Sequence, residues 1–181
     1  MNGFNLSEGG HLAVLLPPQS ISGASSAAPI NPAFSLKGYS HASIIIIAGA
    51  EATQDATTLL LYLCTSAAGG SPIAIPFNYY LQTSGTAFAV AGGDVLGSMQ
   101  VATAAGLVLA STDWPANGVI VIEIDDRELE ASTTATLPGV LGADSYIGVG
   151  LGSPVAVDLA CIAVILSGPR IAAVSSPSVT V

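Results

Sequence analysis

The sequence predicts an all-β protein, built as an antiparallel β-sandwich. The first observation is strict alternation. In residues 73–82, Ile73, Ile75, Phe77, Tyr79 and Leu81 share one face, and Ala74, Pro76, Asn78, Tyr80 and Gln82 share the other. In residues 118–125, Ile120, Ile122 and Ile124 oppose Val119, Val121, Glu123 and Asp125. A period of two is the signature of a half-buried strand. Second, the remaining apolar runs are short, β-branched and bounded by Gly or Pro, too short for helices. Third, charged residues are 8% of the chain, against about 25% in an average soluble domain. Lys occurs once, at Lys37, so the chain lacks the Glu, Lys and Arg from which helical surfaces are made. Helix is therefore expected in less than about a fifth of the residues, below the usual third.

Taken in order, residues 11–16 are a short apolar run ended by Pro17-Pro18. Residues 17–35 (PPQSISGASSAAPINPAFS) have no periodicity and read as an extended arm. Such an arm has no core of its own and needs a partner, so its removal should leave the sandwich folded. Residues 43–49 (SIIIIAG) and 59–65 (LLLYLCT) read as strands apolar on both faces, joined by a loop or a single helical turn. Pro76 cannot donate to a ladder, which makes 73–82 an edge strand or a bulged one. Residues 88–90, 95–103 and 106–110 are further short strands.

Residues 113–118 (DWPANG) form a turn before the strand at 118–125, residues 127–130 a short helical turn, and residues 132–144 a loop. In residues 146–151, Ile147, Val149 and Leu151 face one way and Gly148 and Gly150 the other, leaving a flat face open to close approach. Residues 155–166 are the longest strand candidate. The resulting organisation is an N-terminal segment and arm over 1–35, a β-sandwich over 36–171 with eight to ten strands, and an extended tail over 172–181. No repeat of fixed period is present.

Composition excludes whole classes of function. Three basic residues against twelve acidic ones, a formal net charge of −9, cannot neutralise a run of phosphates, so nucleic acid is not a partner. No apolar run reaches the ~20 residues of a spanning helix. The N-terminus lacks the basic segment and apolar core of a secretory signal. Cys64 and Cys161 sit in separate apolar runs and read as free thiols.

Chemistry-bearing motifs are scarce. There is no phosphate-binding Gly-rich loop with its Lys, no paired-His metal motif and no nucleophile elbow. His11 and His41 are the two histidines; each reads as a surface or satisfied core group. The one charge cluster spans residues 123–130, with Glu123, Asp125, Asp126, Glu128 and Glu130. Its oxygens suit calcium, but the spacing is not that of an EF-hand loop, and a solvated acidic rim is the simpler reading. The Asn5-Leu6-Ser7 sequon carries little without a secretion signal. No catalytic, cofactor-binding or metal-binding residue is nominated, no cofactor is implied, and the chain is not expected to be an enzyme.

A chain 51% hydrophobic with so few charges must cover its outer faces with small polar residues or bury them against other subunits, which points to a large permanent assembly. The order of features resembles the small virion proteins of tailed bacteriophages, of the head decoration or cement type. The stretches carrying the resemblance are Phe34-Ser35-Leu36-Lys37-Gly38-Tyr39, residues 44–49, Ile75-Pro76-Phe77-Asn78-Tyr79, residues 118–124 and residues 163–170.

The resemblance implies a jelly-roll sandwich outside an icosahedral capsid, stabilising it by binding the major capsid protein, often as a homotrimer. The implied protein is made in the host cytoplasm and resides on the virion exterior, with no nucleic-acid or membrane partner. The competing expectations are another virion component of the neck, tail or minor head, a secreted adhesin-like β-sandwich, and an enzyme on a small sandwich.

Overall fold

The computed structural model describes residues 10–21, 27–49, 57–82, 96–109, 118–125, 146–152 and 159–169. Among them none is helical, and eleven strands are present. They are β1 (Gly10–Ser20), β2 (Ile30–Ser35), β3 (Tyr39–Ala48), β4 (Thr57–Cys64), β5 (Ile73–Ile75), β6 (Phe77–Leu81), β7 (Gln100–Ala102), β8 (Leu107–Leu109), β9 (Val119–Asp125), β10 (Tyr146–Gly152) and β11 (Leu159–Pro169). They form two antiparallel sheets packed as a sandwich. One sheet runs β1-β11-β3-β9-β6-β7; the other runs β2-β10-β4-β5, with β8 also on β4.

The pairing is nested. β1 pairs with β11, β2 with β10, β3 with β9, and β4 with β5. The chain therefore behaves as one long hairpin folded at β4–β5, with successive limbs alternating between sheets. β6 and β7 extend the first sheet beyond β9, and β8 lies beside β5 along the same side of β4.

Alternation produces the core. Ile44, Ile46, Ile120, Ile122, Ile162 and Val164 of the six-stranded sheet are fully covered, as are Leu59 and Leu151 of the other. They belong to one hydrophobic cluster, each such side chain contributing roughly 1.5–3 kcal/mol of burial. Thr57 is the one buried polar residue among those described.

The structure corrects several expectations. Much of the described part of 17–35 is sheet rather than arm. β1 continues through Pro17 and Pro18 to Ser20, and residues 30–35 form β2. The prolines are tolerated because β1 is an edge strand whose register shifts between Leu16 and Gln19, and an irregular edge has no need of their missing N–H groups. Ile21, Ala33 and Phe34 are buried, so the described parts of this segment contribute side chains to the core.

Residues 73–82 are two strands. The chain leaves β5 at exposed Pro76 and enters β6 in the opposite sheet, the kind of corner at which a strand changes sheets. Ile45 and Ile47 point outward, with Ile47 41% exposed, so the four-isoleucine run is buried on one face only. Among the described residues of 95–103, strand structure is confined to β7, beyond isolated bridges of Leu96 with Gln82 and of Thr103 with Gly106.

The glycine face of β10 is occupied as a flat face would be. A Cβ on Gly148 would meet the Pro29 ring at 2.5 Å and Cys64 Sγ at 3.2 Å. At the β2–β3 turn, Tyr39 N–H donates to the Leu36 carbonyl at 2.8 Å. Gly38 there has φ +86°, which a side chain would oppose.

The expectations for residues 5–7, 51–56, 88–90, 113–117, 126–144, 155–158 and 172–181 lie outside the described residues.

Candidate interaction face

Register fixes what the outer face of the six-stranded sheet presents, because paired residues share a face. One row crosses Val14, Ala163, Ile45, Val121 and Tyr80. The next, toward one end, joins Cys161, Ile47 and Val119. Toward the other end, Leu12, Ile165, Ser43, Glu123, Asn78 and Val101 align. Beyond them Ser167, His41 and Asp125 complete the face. Aliphatic side chains dominate, with Ile45, Ile47 and Val121 central and Leu12 (52% exposed) and Val14 (56% exposed) at the β1 edge, and the carboxylates and His41 cluster at one end.

That cluster is tight. His41 lies between two carboxylates, its Nε2 at 2.6 Å from Glu123 Oε2 and its Nδ1 at 2.9 Å from Asp125 Oδ1. Ser43 donates its hydroxyl to Glu123 Oε2 at 2.8 Å and stands 3.3 Å from His41 Nε2. Partial burial of the imidazole opposes its charge, but the Asp125 hydrogen bond and the Glu123 charge outweigh this and raise its pKa above 6.5. The order Ser43, His41, Asp125 is that of a nucleophile, a base and an orienting acid. Here, however, the serine proton goes to Glu123 and both imidazole nitrogens face carboxylates. The arrangement favours the protonated imidazole and ties β3 to β9, each ring nitrogen facing a carboxylate.

Sequence reasoning had the acidic residues but not their partner. Glu123 and Asp125 belong to the cluster read as an acidic rim, while His41 and Ser43 carried no motif. The available signal was that His41 and Ser43 precede the isoleucine run at the spacing that separates Glu123 from Asp125; the antiparallel register that matches them is not readable from spacing. Among the described residues no group of three or more His, Cys, Asp or Glu side chains is arranged to hold a metal ion, and residues 126–130 of the calcium candidate lie outside the described set. His11 lies exposed on β1.

Both cysteines are free thiols. Cys161 belongs to the outer face just described. Cys64 is buried in β4, where burial pushes its pKa up against a smaller opposing effect of the Gly148 backbone hydrogen bond.

Compared with protein-family models, with curated proteins and with solved structures, the chain has no match.

Proposed function

We propose that the chain is a structural virion protein that decorates and stabilises an icosahedral phage capsid by binding the major capsid protein. The observation that carries this reading is the aliphatic outer face of the six-stranded sheet. A sandwich that works alone in water turns polar residues outward from such a sheet. This one turns outward Leu12, Val14, Ile45, Ile47, Val119 and Val121, in a chain with few charges to offset them. A contiguous aliphatic face is the mark of a surface that is covered in the working state.

The nested pairing supports the finer fold reading, a jelly roll. A long hairpin rolled so that its limbs alternate between two sheets produces β1-β11-β3-β9 opposite β2-β10-β4-β5, and double-sheet jelly rolls recur in viral capsid domains. The irregular, proline-bearing edge of β1 favours association through the face over strand addition at that edge. In this reading the subunits gather as a trimer on the capsid exterior after synthesis in the host cytoplasm, with no catalytic role.

The test is quantitative mass spectrometry of purified virions from the phage encoding the chain. A decoration protein is present in hundreds of copies per particle. About a dozen copies would assign it to the neck or tail instead, and its absence from particles would overturn the virion reading.

A further inference from the structure

We infer that the outer face of the six-stranded sheet is the surface that docks on the capsid protein, and that its occupant is an aliphatic protein surface bearing an arginine or lysine over Glu123 and Asp125. The inference rests on the virion reading and adds the face and the chemistry of the partner. The face around Ile45, Ile47 and Val121, with Val14 at its β1 edge, carries no carboxylate or basic side chain among the described residues, and Tyr80 and Cys161 are the other groups in these rows, so it suits a largely aliphatic counter-surface. Its end carries Glu123 and Asp125, whose side chains are 34% and 56% exposed. With His41 protonated, the two carboxylates and one imidazolium of the described residues leave a net −1 there.

A second copy of this chain fits poorly. Two such faces can meet about a twofold axis along the strands, which sets acidic end against acidic end. About an axis across the strands, the carboxylates of one copy cover Ile47 and Val119 of the other. The first opposes like charges, and the second buries charge against aliphatic side chains, which is costly. The chain has only Lys37, Arg127 and Arg170 as basic residues against twelve acidic ones. The complementary cation is therefore supplied by a different protein, and a charge pair at the rim of an aliphatic contact sets orientation and association rate.

The experiment uses virions assembled without the protein and measures rebinding of purified full-length variants by co-sedimentation. Val14→Glu and Ile47→Glu should each weaken binding by about tenfold or more. The double change Glu123→Gln with Asp125→Asn should weaken it several-fold and flatten its dependence on salt. Val108→Glu, 66% exposed on the other sheet, should bind as the unaltered protein does. Circular dichroism confirms folding of each variant; if Val14→Glu does not fold, the isosteric Val14→Thr replaces it, with a several-fold loss expected.

Equal binding of the Val14 and Ile47 variants would overturn the face assignment while leaving the virion reading intact. Failure of the unaltered protein to bind would overturn both. A dimer of the free protein that Val14→Glu and Ile47→Glu dissolve, seen by analytical ultracentrifugation, would make a second copy the occupant and overturn the inference.

Discussion

His41 Nδ1 and Asp125 Oδ1 stand 2.9 Å apart across the β3–β9 ladder, although 84 residues separate them in the chain. With Glu123 on the opposite side of the imidazole, this contact joins two central strands on their outer face. It makes part of the stability pH-dependent.

The sign follows from the raised pKa of His41 in the folded protein. The folded state binds the proton more tightly than the unfolded chain. The stabilisation is therefore complete below the unfolded value of about 6.5 and is lost as pH rises through the higher folded value. His41→Gln should lower stability by about 0.5–1 kcal/mol at mildly acid pH, a modest figure because the pair is partly solvated. Urea unfolding of both proteins on either side of the transition checks this; the gap should shrink on the alkaline side.

Inward and outward isoleucines should respond differently to truncation. Ile162 is fully covered, and Ile162→Ala should cost about 2–5 kcal/mol. Ile47→Ala, on the outer face, should cost no more than about 0.5 kcal/mol in the free protein. Denaturant midpoints measure both.

Gly148→Ala should destabilise by about 1–3 kcal/mol, because the added methyl meets the Pro29 ring. The shift should appear in thermal unfolding monitored by circular dichroism. Unchanged stability would mean that the segment carrying Pro29 does not rest on β10.

The thiols should differ in rate. Cys161 faces outward on β11 and should alkylate first in the folded protein. Cys64, buried with its pKa raised, should react only on unfolding, since the thiolate is the reactive form. Titration in denaturant without reductant should find two free groups, as expected for residues on different sheets.

Removal of residues 1–33 should abolish cooperative unfolding. It deletes all of β1 and most of β2, together with buried Leu15, Leu16 and Ala33. A truncated protein that still melted sharply would mean that β3 and β11 close the sandwich without them.

Periodicity was legible where the two faces of a strand carry different kinds of residue. The alternation at 118–125 became β9, and that at 146–151 became β10, whose Ile147, Val149 and Leu151 are buried in the core. It failed at 73–82, since alternation continues through a corner; only the missing N–H of Pro76 hinted that the strand changes sheets. It failed again at 17–35, because β1 and β2 hold their places by contacts with distant strands and need little local pattern. The isoleucine run looked doubly buried because composition cannot tell an inward residue from one exposed on the free chain.

The sequence by itself determined an all-β chain, the shared faces of its regular strands, a low helical content and the anionic character of the molecule. These depend on local period and composition, which neighbouring residues carry. The tertiary structure alone decided the nested pairing of the strands, the change of sheet at Pro76, the gathering of the aliphatic side chains on one outer face and the meeting of His41 with Glu123 and Asp125. Each depends on register between strands far apart in the chain, and register is set by the joint fit of all the ladders, which no local pattern contains.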